Sequence, residues 1–356
     1  MSKVVLSDAV AQPLAAVSPF VSVVMPVRNE AAFLSLSLDS LLANDYSPEM
    51  FEVIVVDGMS SDGSQQIVEA YSRRHPRVKY IQNPGRIVAT GLNLAIQAAQ
   101  GEIIVRADSH TRYEPDYIRQ CVALLNETGA ANVGGAQRSS GTTFIGSAVA
   151  LATTSKFGAG NAKFRYSTDE QWVDTVYLGA WRKETLVRLG GFDEGLVVNQ
   201  DYELNYRIRQ AGGRILLSPR IRCEYFVRPS MRSFAKQYFR YGLWKINTLV
   251  LHPYSLKWRQ LAAPLLTAGI LISLLLAATT SPLWLALPIV YGSACVLASW
   301  LALDDRRSPL FFVMPLVFVV LHLSWGAGFW CGLVRFGIPG IHRARHATRI
   351  HEFAAD

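Results

Sequence analysis

From residue 21 onward the chain alternates short β-branched apolar runs with longer segments whose apolar positions recur every three or four residues. Residues 21–26, Val-Ser-Val-Val-Met-Pro, read as a strand closed by a proline that cannot donate to a ladder. After Arg28-Asn29-Glu30, the positions Phe33, Leu34, Leu38, Leu41 and Leu42 fall on one face of a helix. Residues 51–57 repeat the strand pattern and end at Asp57 in a turn-rich loop, and a helix is predicted over 65–74. A third strand is expected over 78–81, a turn at Asn83-Pro84-Gly85-Arg86 and a helix over 89–99. Residues 102–105 then form a short buried strand that delivers Asp108 and His110 to its carboxyl end. Strands and helices alternating at this spacing predict βαβ units and a mostly parallel sheet, with the strands' carboxyl ends gathered on one rim. Glu30, Asp57, Arg86, Asp108 and His110 all fall at or just beyond those ends, where open α/β sheets hold their ligands.

Residues 134–180 are rich in Gly, Ser and Thr, less regular, and expected to form the acceptor side of a site. A strand and turn over 176–182, a tight turn over 189–194, Asp201 near a helix start and a short strand within 214–228 follow. Residues 234–245 mix aromatics with cations at helical spacing, which suits a membrane boundary or a helix closing over a pyrophosphate. Three apolar stretches come last, 261–279, 283–303 and 310–334, each near the ~20 residues needed to cross a hydrocarbon core of ~30 Å. Lys257, Arg259, Arg306 and Arg307 fit a cytoplasmic side, but three full crossings would leave Arg335, Arg343, Arg345 and Arg349 outside, against the positive-inside tendency. A third stretch that doubles back at 324–328, one stretch lying in the interface, or a tail that breaks the rule would each resolve this.

Composition sharpens the division. Half of the 356 residues are hydrophobic and 17% are charged, and the apolar excess lies beyond residue 261. The net charge of +8 is not accompanied by a helix-turn-helix, zinc-finger or RNP-like pattern, so nucleic acid is not the expected partner. Basic residues gather between 207 and 259, which points to an anionic lipid surface or a phosphate-bearing substrate. Cys121, Cys223, Cys295 and Cys331 lack metal-ligand spacing and read as reduced and structural. Asp8, Gln12 and Pro13 interrupt the apolar N-terminus, a poor signal peptide, so the following domain is expected in the cytoplasm.

Neither G-x-G-x-x-G nor G-x-x-x-x-G-K-[ST] follows the first strand, so the charge of a diphosphate must be handled by other means. Asp108 and His110, two residues apart at a strand end, can face one divalent cation, with Arg86 as a helper. Each motif alone also has a plain structural reading. Asp108 can cap a turn, His110 can be a surface histidine, Asp201 an N-cap, and Arg207 with Arg209 a solvated face. Their coincidence on one rim is what favours a nucleotide-type site.

Pro26-Val-Arg-Asn-Glu30, Val55-Val-Asp57-Gly58, Asp108-Ser-His110, Gln200-Asp201 and Gln237-Tyr-Phe-Arg240-Tyr241, in that order, resemble the signature of family 2 glycosyltransferases with a GT-A fold. Within that family the chain is most similar to membrane-anchored bacterial enzymes of the succinoglycan exopolysaccharide type, over roughly residues 20–250. The resemblance implies a Rossmann-like GT-A domain over 20–230 after an extension over 1–19. Amphipathic interfacial helices over 231–260, about three transmembrane helices over 261–335 and a basic tail over 336–356 would follow.

Carried onto this sequence, the resemblance places Pro26, Glu30 and Asp57 at the uracil and ribose of a UDP-sugar, with Arg86 near the base or diphosphate. It places Asp108 and His110 on Mg²⁺ or Mn²⁺, Asp201 as the general base, and Gln237, Arg240 and Tyr241 beside the acceptor and pyrophosphate. Three positions depart from the family pattern. His110 replaces a carboxylate, which leaves the metal's identity open, since imidazole tolerates Mn²⁺ better than Mg²⁺; Gln200 replaces a glutamate and Tyr241 a tryptophan. The implied activity is inverting transfer of a hexose, with glucose expected, to a polyprenyl-diphosphate-linked saccharide at the inner membrane. A polyprenyl-phosphate glycosyl synthase and a non-catalytic scaffold of a polysaccharide assembly complex remain as alternatives.

Overall fold

A computed structural model of the protein describes residues 18–160 and 162–338. Most of the N-terminal extension and the tail arginines Arg343, Arg345 and Arg349 lie outside the described residues. Four strands, Val21–Val27 (β1), Phe51–Asp57 (β2), Val78–Gln82 (β3) and Ile103–Arg106 (β4), run parallel in the order β3-β2-β1-β4. They alternate with the helices Ala31–Leu42 (α1), Ser64–Arg74 (α2) and Val88–Ala98 (α3). Successive side chains on a strand point to opposite faces. Val23, Val53 and Val105 therefore join Leu34, Leu38 and Leu41 of α1 in one core. Val24, Ile54 and Ile104 join Leu92, Ala95 and Ile96 of α3 in another. Continuous apolar runs are what a parallel sheet covered on both faces demands, and this half follows the apolar pattern closely.

Past β4 the sheet becomes mixed. Thr111–Tyr113 (β5), Tyr117–Thr128 (α4), Asn132–Ser140 (β6), Phe144–Thr154 (α5) and Lys156–Ala159 (α6) come first. Gln171–Val173 (β7), Tyr177–Arg182 (β8), Lys183–Arg188 (α7), Gln200–Gln210 (α8) and Ile215–Phe226 (β9) complete it. The order extends as β4-β8-β6-β9-β5, with β7 on β9. β8 is antiparallel to β4 and β6, β9 is parallel to β6, and β5 and β7 are antiparallel to β9. The expected mostly parallel sheet thus describes only the first half. β8 returns from loops on the ligand rim, so it enters beside the carboxyl end of β4 and must run the other way. The stretch expected to be irregular holds β6, α5 and β7, and the short strand expected within 214–228 is the 12-residue β9.

The C-terminal part consists of Met231–Leu251 (α9), Ala262–Thr279 (α10), Ala286–Ala302 (α11) and Met314–Phe336 (α12). Trp258–Thr279, Pro282–Ala302 and Met314–Phe336 are each long and apolar enough to cross a membrane. α12 passes through 324–328 as unbroken helix, so the third stretch does not double back there. α9 lies against α12 at backbone contact: a Cβ at Gly242 would stand 2.0 Å from the Trp325 carbonyl oxygen, and one at Gly328 2.0 Å from that of Phe239. Part of the aromatic face that suits a membrane boundary is thereby covered. Trp244 packs on Phe336 with ring centroids 5.3 Å apart, and Phe234 and Tyr238 are buried. Ala148, Val149 and Ala152 of α5 share a cluster with Phe234 of α9 and Val317 and Phe318 of α12, so the apolar helices and the sheet have a common core. All four cysteines are free, three of them buried and Cys331 exposed.

These contacts make a discriminating test. Gly328→Val has no room to relax against a carbonyl and should destabilise the protein by at least about 1–3 kcal/mol, whereas Gly292→Ala, with nothing within 4 Å of the added carbon, should be neutral or slightly stabilising. Thermal unfolding of the two variants in detergent reads the difference.

Candidate active site

β4 ends on a charge. Arg106 is buried at 5% exposure, and its Nε and Nη2 donate to Oδ1 of Asp108 at 3.3 and 3.1 Å. Its Nη1 donates to Oδ1 of Asp201, which arrives from the first turn of α8. Asp201 is not the helix cap: Asn199 holds that position, and its side-chain Nδ2 donates to the Tyr241 carbonyl at 3.3 Å, tying the start of α8 to α9. Enclosure raises the pKa of Asp201 above the ordinary carboxylate value; Arg106 opposes this and the nearby Asp108 adds to it. Burial also works against the charge on Arg106, but Asp108 and Asp201 more than offset it, so the guanidinium stays a cation.

The loop carrying Asp108 and His110 is held from two sides. The Tyr113 hydroxyl accepts from the Asp108 N–H at 2.6 Å and donates to the Asp108 carbonyl at 2.9 Å. Ser37 of α1 donates to the Ser109 carbonyl at 2.8 Å and accepts from the Thr111 N–H at 3.2 Å. The free N–H groups at the start of α1 are met across the rim, Ala31 by Asp62 at 3.0 Å and Glu30 by the Ser64 hydroxyl at 2.9 Å. Glu30 itself therefore makes no cap. Its Oε1 stands 3.4 Å from His110 Nδ1 and 3.7 Å from Arg228 Nη1.

A cavity of about 180 Å³ opens over these loops, lined by Pro26, Glu30, Gly58, Arg86, Asp108 and His110 among others. Asp57 is buried behind it, both carboxylate oxygens taken by the N–H and hydroxyl of Ser60 at 3.0 and 2.5 Å. Arg86 adopts a left-handed φ of 59°, in a turn pinned by Asn83, whose side chain bonds Gly85, Ile87 and Thr90 at 2.9–3.0 Å. No group of three or more His, Cys, Asp or Glu side chains placed to hold a metal ion occurs among the described residues. Arg106 takes only Oδ1 of Asp108, however, and His110 Nδ1 is buried without a hydrogen bond. One carboxylate oxygen and one imidazole nitrogen suit a cation whose other ligands are phosphate oxygens and water, the usual manner of Mg²⁺ at nucleotides. The donor set fits a cation that comes with a nucleotide rather than one caged beforehand.

A second cavity of about 600 Å³ shares Arg106, Asp108, His110 and Arg228 with the first. It runs past Asp201, Gln237 and Tyr241 to Ala262 and Ala263 at the start of α10 and to Leu321 and Trp325 in α12. Gln237 Nε2 donates to the hydroxyls of Tyr241 at 3.0 Å and Tyr225 at 3.4 Å. Arg240, one turn on, lines neither cavity, and burial lowers its pKa below the usual arginine value. Arg207 is structural, not a solvated face: it grips Glu203 at 2.6 and 2.7 Å and the carbonyls of Leu189 and Gly191. The structure thus gathers Pro26, Glu30, Arg86, Asp108 and His110 around one cavity and Asp201, Gln237 and Tyr241 around its continuation. Asp57 and Arg240 stand off the walls. Sequence reasoning passed over Arg106, Tyr113 and Arg228. Arg106 carried a signal, a lone cation closing an apolar strand, because a charge at such a position needs partners.

This architecture is the GT-A fold. Among solved structures the chain is similar to the mannosyltransferase PcManGT from Pyrobaculum calidifontis, in complex with GDP-Man and Mn²⁺, with a TM-score of 0.61 and 21% identity over 87% of this chain and 88% of that one. Residues 22–181 match the model of glycosyl transferase family 2. The chain is 32% identical over 319 residues to the succinoglycan biosynthesis protein ExoA of Rhizobium meliloti (strain 1021), 88% of this chain and 95% of that protein. It is 24% identical over 335 residues to the dolichyl N-acetyl-alpha-D-glucosaminyl phosphate 3-beta-D-2,3-diacetamido-2,3-dideoxy-beta-D-glucuronosyltransferase of Methanococcus voltae, 89% of this chain and 98% of that protein. The chain belongs to glycosyltransferase family 2.

Removing the shared cation should be costly in a pH-dependent way. Arg106→Gln leaves Asp108 and the partly exposed Asp201 without their shared counter-charge, a loss of about 1–3 kcal/mol at neutral pH once solvent screening is allowed for. The same change lifts the already raised Asp201 pKa further, and a group raised in the fold favours folding at low pH and loses that contribution as pH rises. Tm measured against pH should therefore show the gap to wild type wide at pH 7 and narrowing as the pH falls into the carboxylate range.

Proposed function

We propose that the protein is an inverting transferase that moves a hexose, glucose being the first to test, from a UDP-sugar to a polyprenyl-diphosphate-linked saccharide in exopolysaccharide biosynthesis. The observation that carries this reading is the continuity of the two cavities. They meet at Arg106, Asp108 and His110, and the larger runs from Asp201 to apolar helices long enough to span a membrane. The names of two relatives support it, one from succinoglycan biosynthesis and one acting on a dolichyl-linked sugar phosphate.

In this reading Pro26 and Glu30 receive the uracil and ribose, and Asp57 serves through the loop it braces, since Gly58 rather than Asp57 lines the cavity. Arg86 stands at the diphosphate, and Asp108 with His110 would hold Mn²⁺ or Mg²⁺. Such a cation, when bound, neutralises charge on the departing diphosphate. Asp201 removes the proton from the acceptor hydroxyl as it attacks the anomeric carbon from the face opposite the leaving group. Its raised pKa makes it a stronger base than an ordinary aspartate, and positioned base catalysis is worth about 10²- to 10⁴-fold. A single displacement inverts the anomeric centre. Gln237, Arg240 and Tyr241 on α9 flank the acceptor and the diphosphate. The three apolar helices anchor the enzyme in the inner membrane with the sheet on the cytoplasmic side, where membrane lipids surround the anchor and the acceptor is presented.

Release of UDP from a panel of UDP-sugars, with and without membrane lipid extract, tests the reaction: extract should stimulate release, and saccharide-free polyprenyl phosphate should not replace it. Asp201→Asn should fold with Tm near wild type and lose at least about 10²-fold in transfer. Turnover near wild type by that variant would remove the base assignment. Asp108→Ala should lose the Mn²⁺-dependent part of UDP binding in calorimetry.

A further inference from the structure

Four arginines among the described residues line the larger cavity: Arg106, Arg165, Arg228 and Arg259. Three have carboxylate partners. Arg106 holds Asp108 and Asp201, Arg228 lies 3.7 Å from Glu30, and Arg259 donates to Asp174 at 2.8 Å. Arg165 lies on a single helical turn between α6 and β7; its backbone N–H donates to the Ala162 carbonyl at 2.9 Å, while its guanidinium has no carboxylate and no hydrogen-bond partner among the described residues. The Phe164 ring lies 5.5 Å from its guanidinium carbon, and Tyr177, Tyr225, Tyr238 and Tyr241 line the same cavity. Keeping a half-buried cation without a counter-ion costs free energy. A binding cavity keeps such a charge when the anion arrives with the ligand. A second unmet group lines the same cavity: Gln137 is 4% exposed, and its Oε1 is buried without a donor.

We propose that Arg165 binds the diphosphate of the prenyl-linked acceptor, with Tyr238 and Tyr241 as hydroxyl donors and Gln137 Oε1 accepting from a hydroxyl of the attached sugar. The assignment rests on the acceptor class proposed above and adds to it the residue that reads the anion. The cavity's lining suggests the arrangement. Ala262, Leu321 and Trp325 offer the prenyl chain an apolar part of the lining, Asp201 would meet the sugar, and Arg165 lines the same cavity. Arg106, Arg228 and Arg259 are less suited because each already faces a carboxylate that would repel a phosphate.

Calorimetry on the full-length protein in detergent tests this with farnesyl diphosphate, inorganic pyrophosphate and UDP plus Mn²⁺ as probes. Wild type should bind farnesyl diphosphate more tightly than pyrophosphate. Arg165→Gln should weaken farnesyl diphosphate binding about tenfold or more while UDP affinity stays within about twofold, and Arg165→Lys should recover part of the loss. A matched Tm for the variants excludes unfolding as the cause. An unchanged farnesyl diphosphate affinity in Arg165→Gln overturns the proposal. A loss confined to UDP overturns it in favour of the donor diphosphate, and equal wild-type affinity for farnesyl diphosphate and pyrophosphate overturns the prenyl assignment. Should lipid extract support no transfer while farnesyl diphosphate binding still depends on Arg165, the anchor stands and the functional reading fails.

Discussion

One buried guanidinium ties the two halves of this molecule together where their charged groups meet. β4 belongs to the parallel half built from local strand–helix alternation, and α8 belongs to the mixed half that returns from the rim. Arg106 at the end of β4 bonds Asp108 of its own segment and Asp201 of α8. The buried guanidinium needs both carboxylates, because burying an unpaired charge costs several kcal/mol. The distance between the two cavities' chemistry is therefore set by the reach of one side chain whose planar fork fixes direction as well as separation. Tyr113 and Ser37 perform the same service for the backbone of that loop, so Asp108 and His110 are placed by buried bonds rather than by a free turn.

The first half was legible because its determinants are local. Val21–Val27, Phe51–Asp57 and Ile103–Arg106 announce themselves as β-branched runs, and handedness alone then gathers Glu30, Arg86, Asp108 and His110 on one rim. The second half was not, because its order depends on pairings between distant segments. Nothing in the run around Tyr177–Arg182 says that it inserts beside β4 in reverse. α5 was hidden for a different reason: its small residues, Ala148, Ala150 and Ala152, carry weak periodicity, and its role is to fit between larger groups from three other elements. Asp201 and Gln237 were found through a short motif each, while Arg165 belonged to no motif. Its surroundings, which make it notable, come from β8, β9 and α9.

Asp57 shows how a motif position and a contact can part. Its place at the end of β2 is as read, yet its carboxylate braces the turn at Ser60 and leaves Gly58 to face the cavity. The loop, not the acid, is what a nucleotide would meet. Glu30 illustrates the reverse. A glutamate at a helix start would ordinarily settle the helix's own free N–H groups, but Asp62 and Ser64 do so from the neighbouring loop and release Glu30 toward His110 and Arg228.

The glycine contacts between α9 and α12 carry a mechanical consequence. A helix whose apolar length differs from the local hydrocarbon thickness relieves the mismatch by tilting. α12 cannot tilt alone, since Gly242 and Gly328 bring its backbone onto that of α9 without slack, and α9 bears Gln237 and Tyr241 on the cavity wall. Any tilt of α12 would therefore carry α9 with it, and with α9 the Gln237 and Tyr241 side chains of the cavity wall.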